Sequence, residues 1–167
     1  MQLKQTKEAL NNFGKFVIQQ ARSRLTKGNK NVNKKLYNSL EYLPFKTGDS
    51  IGVKFFMEKY GMFQYQGVKG TKSNYKENKK SPFSYKTKMP PPKAFADFIK
   101  RKGIKGRDKK GRFITNKSLQ FLIARSVFQK GIKASMFFTK PFNQAFDKLP
   151  EELQENFVKD IENIIFE

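Results

Sequence analysis

Residues 121–138 read FLIARSVFQKGIKASMFF, the longest mostly apolar run in a chain of 167 residues with a formal net charge of +21. Two readings compete here. A chain this basic suggests a polyanion partner, while this run looks like a buried helix followed by a buried edge. Leu119, Leu122, Ile123 and Val127 share one helical stripe, and Phe121, Ala124 and Phe128 nearly close the circle. A helix apolar on most sides is normally buried. The spacing predicts a helix over 117–130, capped by Thr115 or Asn116 and stopped by Gly131. Residues 132–138 are expected to form a strand that closes a sheet behind it, with Lys130, Lys133 and Lys140 at the surface. Arg125 interrupts the apolar surface, and burying it unpaired would be costly, so it should pair with a carboxylate or reach water.

The chain outside this run supplies more core. Leu10, Phe13, Val17, Ala21 and Leu25 follow a 3.6-residue period over 5–27, widened by Phe16 and Ile18 and ended by Gly28. After the polar connector 29–35, the turn KTGDS is flanked by Leu40, Tyr42, Leu43 and Phe45 on one side and Ile51, Val53, Phe55 and Phe56 on the other, a hairpin pattern. Phe95, Phe98 and Ile99 predict a short helix after Pro90–Pro92, ended by Gly103. RDKKGRFIT reads as a turn around Lys109–Gly111 that opens a hairpin arm. FTKPFNQAF predicts a short helix near Pro141. A final helix runs from Pro150 to about Phe166, with Leu153, Phe157, Ile161, Ile164 and Ile165 on its apolar face. Glu151 and Glu152 stand in its first turn, where the helix dipole favours them. The fold class expected is α+β: a long N-terminal helix, a small antiparallel sheet, packed C-terminal helices and a long extended basic excursion. All of it fits in one domain, 1–167.

The excursion is residues 61–92, rich in Gly, Pro, Ser, Asn and Lys, with aromatics at no regular period. Loops this long in a compact domain are usually functional. Charge concentrates around it. Residues 69–112 hold 16 Lys/Arg and 3 Asp/Glu, while 143–167 hold 2 Lys and 7 Asp/Glu. Such blocks are either solvated faces or the two sides of a head-to-tail contact between copies.

The residues present narrow the chemistry. With no Cys and no His, disulfides, thiol chemistry and the commonest metal ligand and general base are absent. Glu41 and Asp49 lie on one hairpin, where two carboxylates able to approach across the turn would suit a hydrolase, but they read as surface charges. Ser39 and Ser126 near lysines carry no signal in a Lys-rich chain. Gly67, Gly70, Gly103, Gly106 and Gly111 form neither a P-loop nor a dinucleotide fingerprint. The expectation is a non-enzyme with no catalytic, cofactor or metal site. No apolar leader and no membrane-spanning stretch is expected, and the Cys-free composition fits a reducing cytoplasm.

Three blocks carry a resemblance. LYNSLEYLPFKTGDSIGVKFFMEKYGMFQYQGVKG (36–70) contains Tyr60, Phe63, Gln64, Tyr65 and Gly67 in a hairpin-then-Tyr-x-x-Tyr-x-x-x-Gly pattern. The others are SPFSYKTKMPPPKAFADFIKRKGI (81–104) and SLQFLIARSVFQKGIKASMFFTKPFNQAF (118–146). Together they resemble the tail-completion, or head–tail joining, proteins of tailed bacteriophages, most closely the version in crAss-like and related phages of Bacteroidetes hosts. The likeness covers most of the chain after residue 36. It implies a virion protein made in the host cytoplasm. It further implies a homo-oligomeric ring of 6 or 12 copies in the neck, between portal or connector proteins and the tail, with the extended loop reaching neighbouring subunits. The chain departs from the simplest members over 71–112, which is longer and more basic, so six or twelve copies both stay open.

Two sets of candidate residues follow. Aromatics on loops suit subunit contacts: Tyr65, Tyr75, Phe83, Tyr85, Phe113, Phe137, Phe138 and Phe142. Alternatively, Lys69, Lys72, Lys76, Lys79, Lys80, Lys86, Lys88, Arg101, Arg107 and Arg112, interleaved with aromatics, suit phosphate neutralisation and base stacking. No helix-turn-helix, RRM or KH pattern accompanies them. The two combine in a ring whose basic loops touch DNA passing through its channel.

Overall fold

A computed structural model describes residues 3–30, 32–48, 50–72 and 74–166, with the backbone alone for 164–166. The fold is α+β, with a long N-terminal helix, a small antiparallel sheet and C-terminal helices. The chain separates into two compact units, 1–58 with 136–167 and 59–135. Asp49 and the side chains of Ile164 and Ile165 lie outside the described residues.

The first unit is organised by helix α1 (Lys4–Lys27), whose predicted stripe Leu10, Phe13, Val17, Ala21 and Leu25 is buried in full. A short helix α2 (Lys35–Ser39) leads into β1 (Glu41–Thr47), which pairs antiparallel with β2 (Ser50–Phe56) in the register Tyr42↔Phe55 and Thr47↔Ser50. Gly48 takes φ +57 at the turn, a conformation glycine adopts without a Cβ clash. The C-terminal segment adds α6 (Thr139–Phe146) and α7 (Leu149–Phe166). The core is the Phe-rich one the composition implies. Phe13 meets Phe55 and Phe142 edge-on at 6.0 and 5.5 Å, and Phe138 meets Phe55 edge-on at 5.1 Å. Such pairs add about 0.5–1.5 kcal/mol each beyond area burial. Arg22 ties α1 to the next segment, donating to the carbonyls of Tyr37 and Leu40 at 3.1 and 2.9 Å.

The second unit contains α3 (Gly61–Gln66), β3 (Val68–Lys69), a 3-10 turn (Lys76–Asn78), a second 3-10 turn (Pro92–Phe95) running into α4 (Ala96–Lys102), then α5 (Asn116–Lys130) and β4 (Gly131–Ile132). β3 and β4 pair antiparallel, Val68 opposite Ile132. Thr115 is the cap of α5, its hydroxyl accepting from Ser118 N at 3.2 Å.

The opening stretch is corrected in three ways. First, it divides between the two units after Ser135. Second, α5 is not buried all round: Leu119 and Ala124 are buried, while Phe121 and Leu122 stay 47% and 49% exposed. The helix packs against the Pro92–Phe95 turn and α4, which leaves Ile123, Val127 and Phe128 half-buried and the side bearing Phe121 and Leu122 open. Arg125 is exposed and reaches water rather than requiring an ion pair. Third, the strand ends at Ile132. The next backbone donors turn elsewhere: Ala134 N to Asn78 Oδ1 at 2.8 Å and Ser135 N to Gln64 O at 3.2 Å.

Candidate nucleic-acid interface

The 59–135 unit holds 21 of the 35 Lys/Arg and 3 of the 14 acidic residues, a net of +18. Nearly all of the chain's excess charge therefore belongs to one unit. A fold that concentrates like charge this way opposes its own compaction unless counter-charge is bound.

What holds the basic segment is a buried polar knot. Asn78 is fully buried; its amide donates to Val68 O and Ile132 O at 3.0 and 2.8 Å, and its Oδ1 accepts from Ala134 N. It thereby clips β3 to β4 from a turn between KE and KK that looks like pure loop in sequence. Gly67, at φ +75, is required beside it: a Cβ there would run into Asn78 Oδ1 and stand 2.6 Å from Ile132 O. Ser81 donates to Gly67 O at 2.7 Å and accepts from Phe83 N. Lys69 N donates to Phe83 O and Tyr85 N to Lys69 O, both at 2.9 Å, while Thr71 N and Lys72 N donate to the last-turn carbonyls of α5, Phe128 and Gln129, both at 3.0 Å. The 61–92 segment, expected as an extended excursion, opens with α3 and β3; the rest of it is mostly irregular but pinned at many points within the second unit.

The proposed interface aromatics fall into two groups. Phe137, Phe138 and Phe142 belong to the 136–167 segment. Phe137 is 1% exposed, and the other two are part of the Phe core. Phe137 is therefore consumed in packing, while Phe138 and Phe142 are half-buried and spend most of their contact on the core. In the basic unit, Phe83 packs edge-on against Phe63 at 4.6 Å, and Tyr85 lies 6.0 Å from Phe128, where burial pushes its phenol above the ordinary range. Tyr65 is half-buried in α3, and Tyr75 is exposed at the start of the first 3-10 turn. Phe113 is the most open, 61% exposed. The proposed cations Lys72, Lys76, Lys79, Lys80, Lys86, Lys88, Arg101, Arg107 and Arg112 are all exposed, while Lys69 is half-buried in β3.

Residues 105–114 bring chemistry together most tightly. The chain reverses in a small hairpin: Asp108 N donates to Arg112 O at 2.8 Å, Ile114 N to Gly106 O at 3.0 Å, and Gly111 takes φ +80. Asp108 Oδ1 accepts from Lys110 N and Arg112 N, both at 2.9 Å, and its Oδ2 pairs with Arg112 Nε at 3.0 Å. The amide and side chain of Arg112, with Lys110 N, hold this carboxyl below its usual range. The Arg107 guanidinium lies 4.0 Å from the Phe113 ring centroid and donates to Gly111 O at 2.8 Å, with Lys105 Nζ 6.0 Å from the same ring. One acidic side chain thus organises a turn bearing five cations and an open aromatic ring.

Elsewhere, Glu77 and Lys133 form an exposed ion pair at 2.7 Å. Among the described residues no cluster of three or more His, Cys, Asp or Glu is grouped to hold a metal, and no helix is long and apolar enough to cross a membrane. Asn78, Ser81 and Asp108 escaped the sequence reading, because polar residues in a Lys/Asn/Gly-rich segment give no periodic signal. No protein-family model, curated protein sequence or solved structure matches this chain.

Proposed function

We propose that this chain is a non-catalytic structural subunit of a bacteriophage neck, one of 6 or 12 copies in a homo-oligomeric ring joining portal-side proteins to the tail. The observation that carries it is the division of charge between units. The 59–135 unit is strongly basic, while α7, in the other unit, has Glu151, Glu152, Glu155 and Glu162 exposed alongside the apolar Phe157 and Val158. Opposite charges on different parts of one chain favour a heterologous contact, in which copy meets copy head to tail and closure gives a ring. The exposed apolar residues of α5 and α7 provide the desolvated centre such contacts need. The three-block resemblance supports the same reading and supplies its location in the virion.

The test is copy number in gradient-purified particles, measured by quantitative mass spectrometry against the portal protein. A fixed ratio of one-half or one per portal subunit is expected. Absence from particles would overturn the reading.

A second reading, nucleic-acid binding through the basic unit, is favoured by one specific feature, the Arg107–Phe113 stack on an exposed and internally braced turn. It is compatible with a ring whose basic loops face passing DNA.

A further inference from the structure

We propose that the 105–113 turn is a stacking site for single-stranded nucleic acid, in which an unpaired base lies on the Phe113 ring while Lys105, Arg107, Lys109, Lys110 and Arg112 surround its phosphates. The inference rests on the nucleic-acid reading and narrows it from a basic unit to one turn, one ligand form and one aromatic residue.

Four observations carry it. The Phe113 ring is the most exposed large apolar side chain described, at 61%. A ring this exposed buries little surface on folding and leaves most of its area open to a planar ligand. Arg107 lies over that ring at 4.0 Å, so a cation and a π-face are already assembled, the combination that stacks bases and neutralises their phosphates. The turn is braced before any ligand arrives: Asp108 accepts from two amides and holds Arg112, and Arg107 is tethered to Gly111 O. A braced site loses less conformational freedom on binding. Finally, Asp108 is the only acidic residue within 105–113, and its carboxylate is engaged internally, so it does little to repel a phosphate.

The form of the nucleic acid follows from the aromatic. A phenyl ring has no donor or acceptor for base edges, so this site stacks without reading sequence. In a duplex the base faces are covered by their neighbours, and reaching one requires wedging a base step open. A single strand offers its faces freely.

The test uses the full chain, a labelled oligothymidine and a duplex of the same length, followed by fluorescence anisotropy at low and physiological salt. Phe113→Ala is expected to weaken oligothymidine binding roughly 5- to 150-fold, the factor matching the 1–3 kcal/mol contributed by one stacked base. Duplex affinity should move less than about twofold, because phosphate contacts persist. Phe113→Tyr, which keeps the ring, should retain single-strand affinity. Circular dichroism is expected to find both variants folded, since the ring is not part of a core. Equal losses on both nucleic acids, or none on either, would overturn the stacking site while leaving a salt-dependent phosphate surface and the broader reading intact. No binding of either probe would sink both. If Phe113→Ala instead lowered self-association in sedimentation with oligonucleotide binding unchanged, the ring would be a contact between protein copies and the proposal would be wrong.

Discussion

The Asp160 carboxylate accepts hydrogen bonds from both the amide and the hydroxyl of Thr6, at 2.9 and 2.8 Å, across 154 residues of sequence. It also accepts from Gln5 N at 2.9 Å. The α1 helix has no side-chain cap of its own at Leu3 and no acidic residue in its first turn. A residue of α7, only 3% exposed, supplies both the missing acceptor and the negative charge that a helix N-terminus attracts. One side chain therefore caps the first helix and fastens the last one to it.

Removing it should cost the first unit stability. Asp160→Ala leaves the buried amide and hydroxyl of Thr6 and the part-buried amide of Gln5 without this acceptor and is expected to lower unfolding free energy by about 1–3 kcal/mol. Asp160→Asn, which keeps one acceptor oxygen, should cost about 1 kcal/mol. Urea unfolding followed by helix ellipticity measures both; a midpoint unchanged in the Ala variant would show that the cap contributes nothing.

The same contact makes stability depend on pH. Burial pushes the Asp160 carboxyl up, but the amides of Thr6 and Gln5 and the Thr6 hydroxyl outweigh it, so the folded value lies below the ordinary one. The folded state then binds fewer protons than the unfolded state. The contribution is full above the unfolded value, about 3.9, and fades as pH falls through the folded value. Urea midpoints of the wild type and Asp160→Asn should differ at neutral pH and converge below about pH 4. A gap that widened on acidification would contradict this.

In the second unit, Asn78→Leu should be among the most damaging substitutions. It deletes three hydrogen bonds at a fully buried position and strands the carbonyls of Val68 and Ile132 and the amide of Ala134. Each stranded group costs about 1–3 kcal/mol. Hydrogen exchange at the Ala134 amide should lose its protection, and limited proteolysis should cut within 69–85 far faster than in the wild type.

At Gly14, the ring of Tyr42 lies where a Cβ would stand, with Cε2 2.8 Å from it, and the Tyr42 hydroxyl donates to Asn11 Oδ1 at 3.0 Å. Alanine is the better helix former by about 1 kcal/mol. Gly14→Ala should nevertheless destabilise, by about 1–3 kcal/mol, because the ring must move off the helix. Gly14→Ala combined with Tyr42→Ala should recover the helix-propensity gain at Gly14 that Tyr42 masks. If the single variant is more stable than wild type in thermal unfolding, the close approach is not limiting.

Phe-to-Ala changes should sort by burial rather than by hydrophobicity. Phe13→Ala, inside the aromatic cluster, should cost about 3–5 kcal/mol. Phe121→Ala, on the open side of α5, should stay within about 0.5 kcal/mol. Thermal melts of the two variants compare them directly, and equal losses would mean that α5 is covered in solution by another copy of the chain.

Periodicity carried the helices because it reports local geometry. The α1 stripe, the 41–56 hairpin, the Thr115 cap and the Gly103 stop all depend on residues within a few positions of one another. The candidate surface was partly legible for the same reason: a run of cations and a KKG turn are visible without coordinates. The burial of α5 was not legible. Its composition allows a helix covered on every side, but whether Phe121 and Leu122 are covered depends on what packs over them, which no local pattern encodes. The same holds for Phe137, Phe138 and Phe142, whose sequence fits an interface as well as a core until Phe13 and Phe55 are seen against the last two. By itself the sequence determined the positions of α1, the 41–56 hairpin and α4 to α7, the Phe-rich core and the basic character of residues 69–112, but not α2 or α3. Only the tertiary structure decided which apolar residues stay exposed, that Asn78 and Asp160 are buried polar fasteners, and that Arg107 stacks on Phe113. Burial and polar pairing are set by groups distant along the chain, and a single strand of text records no distances in space.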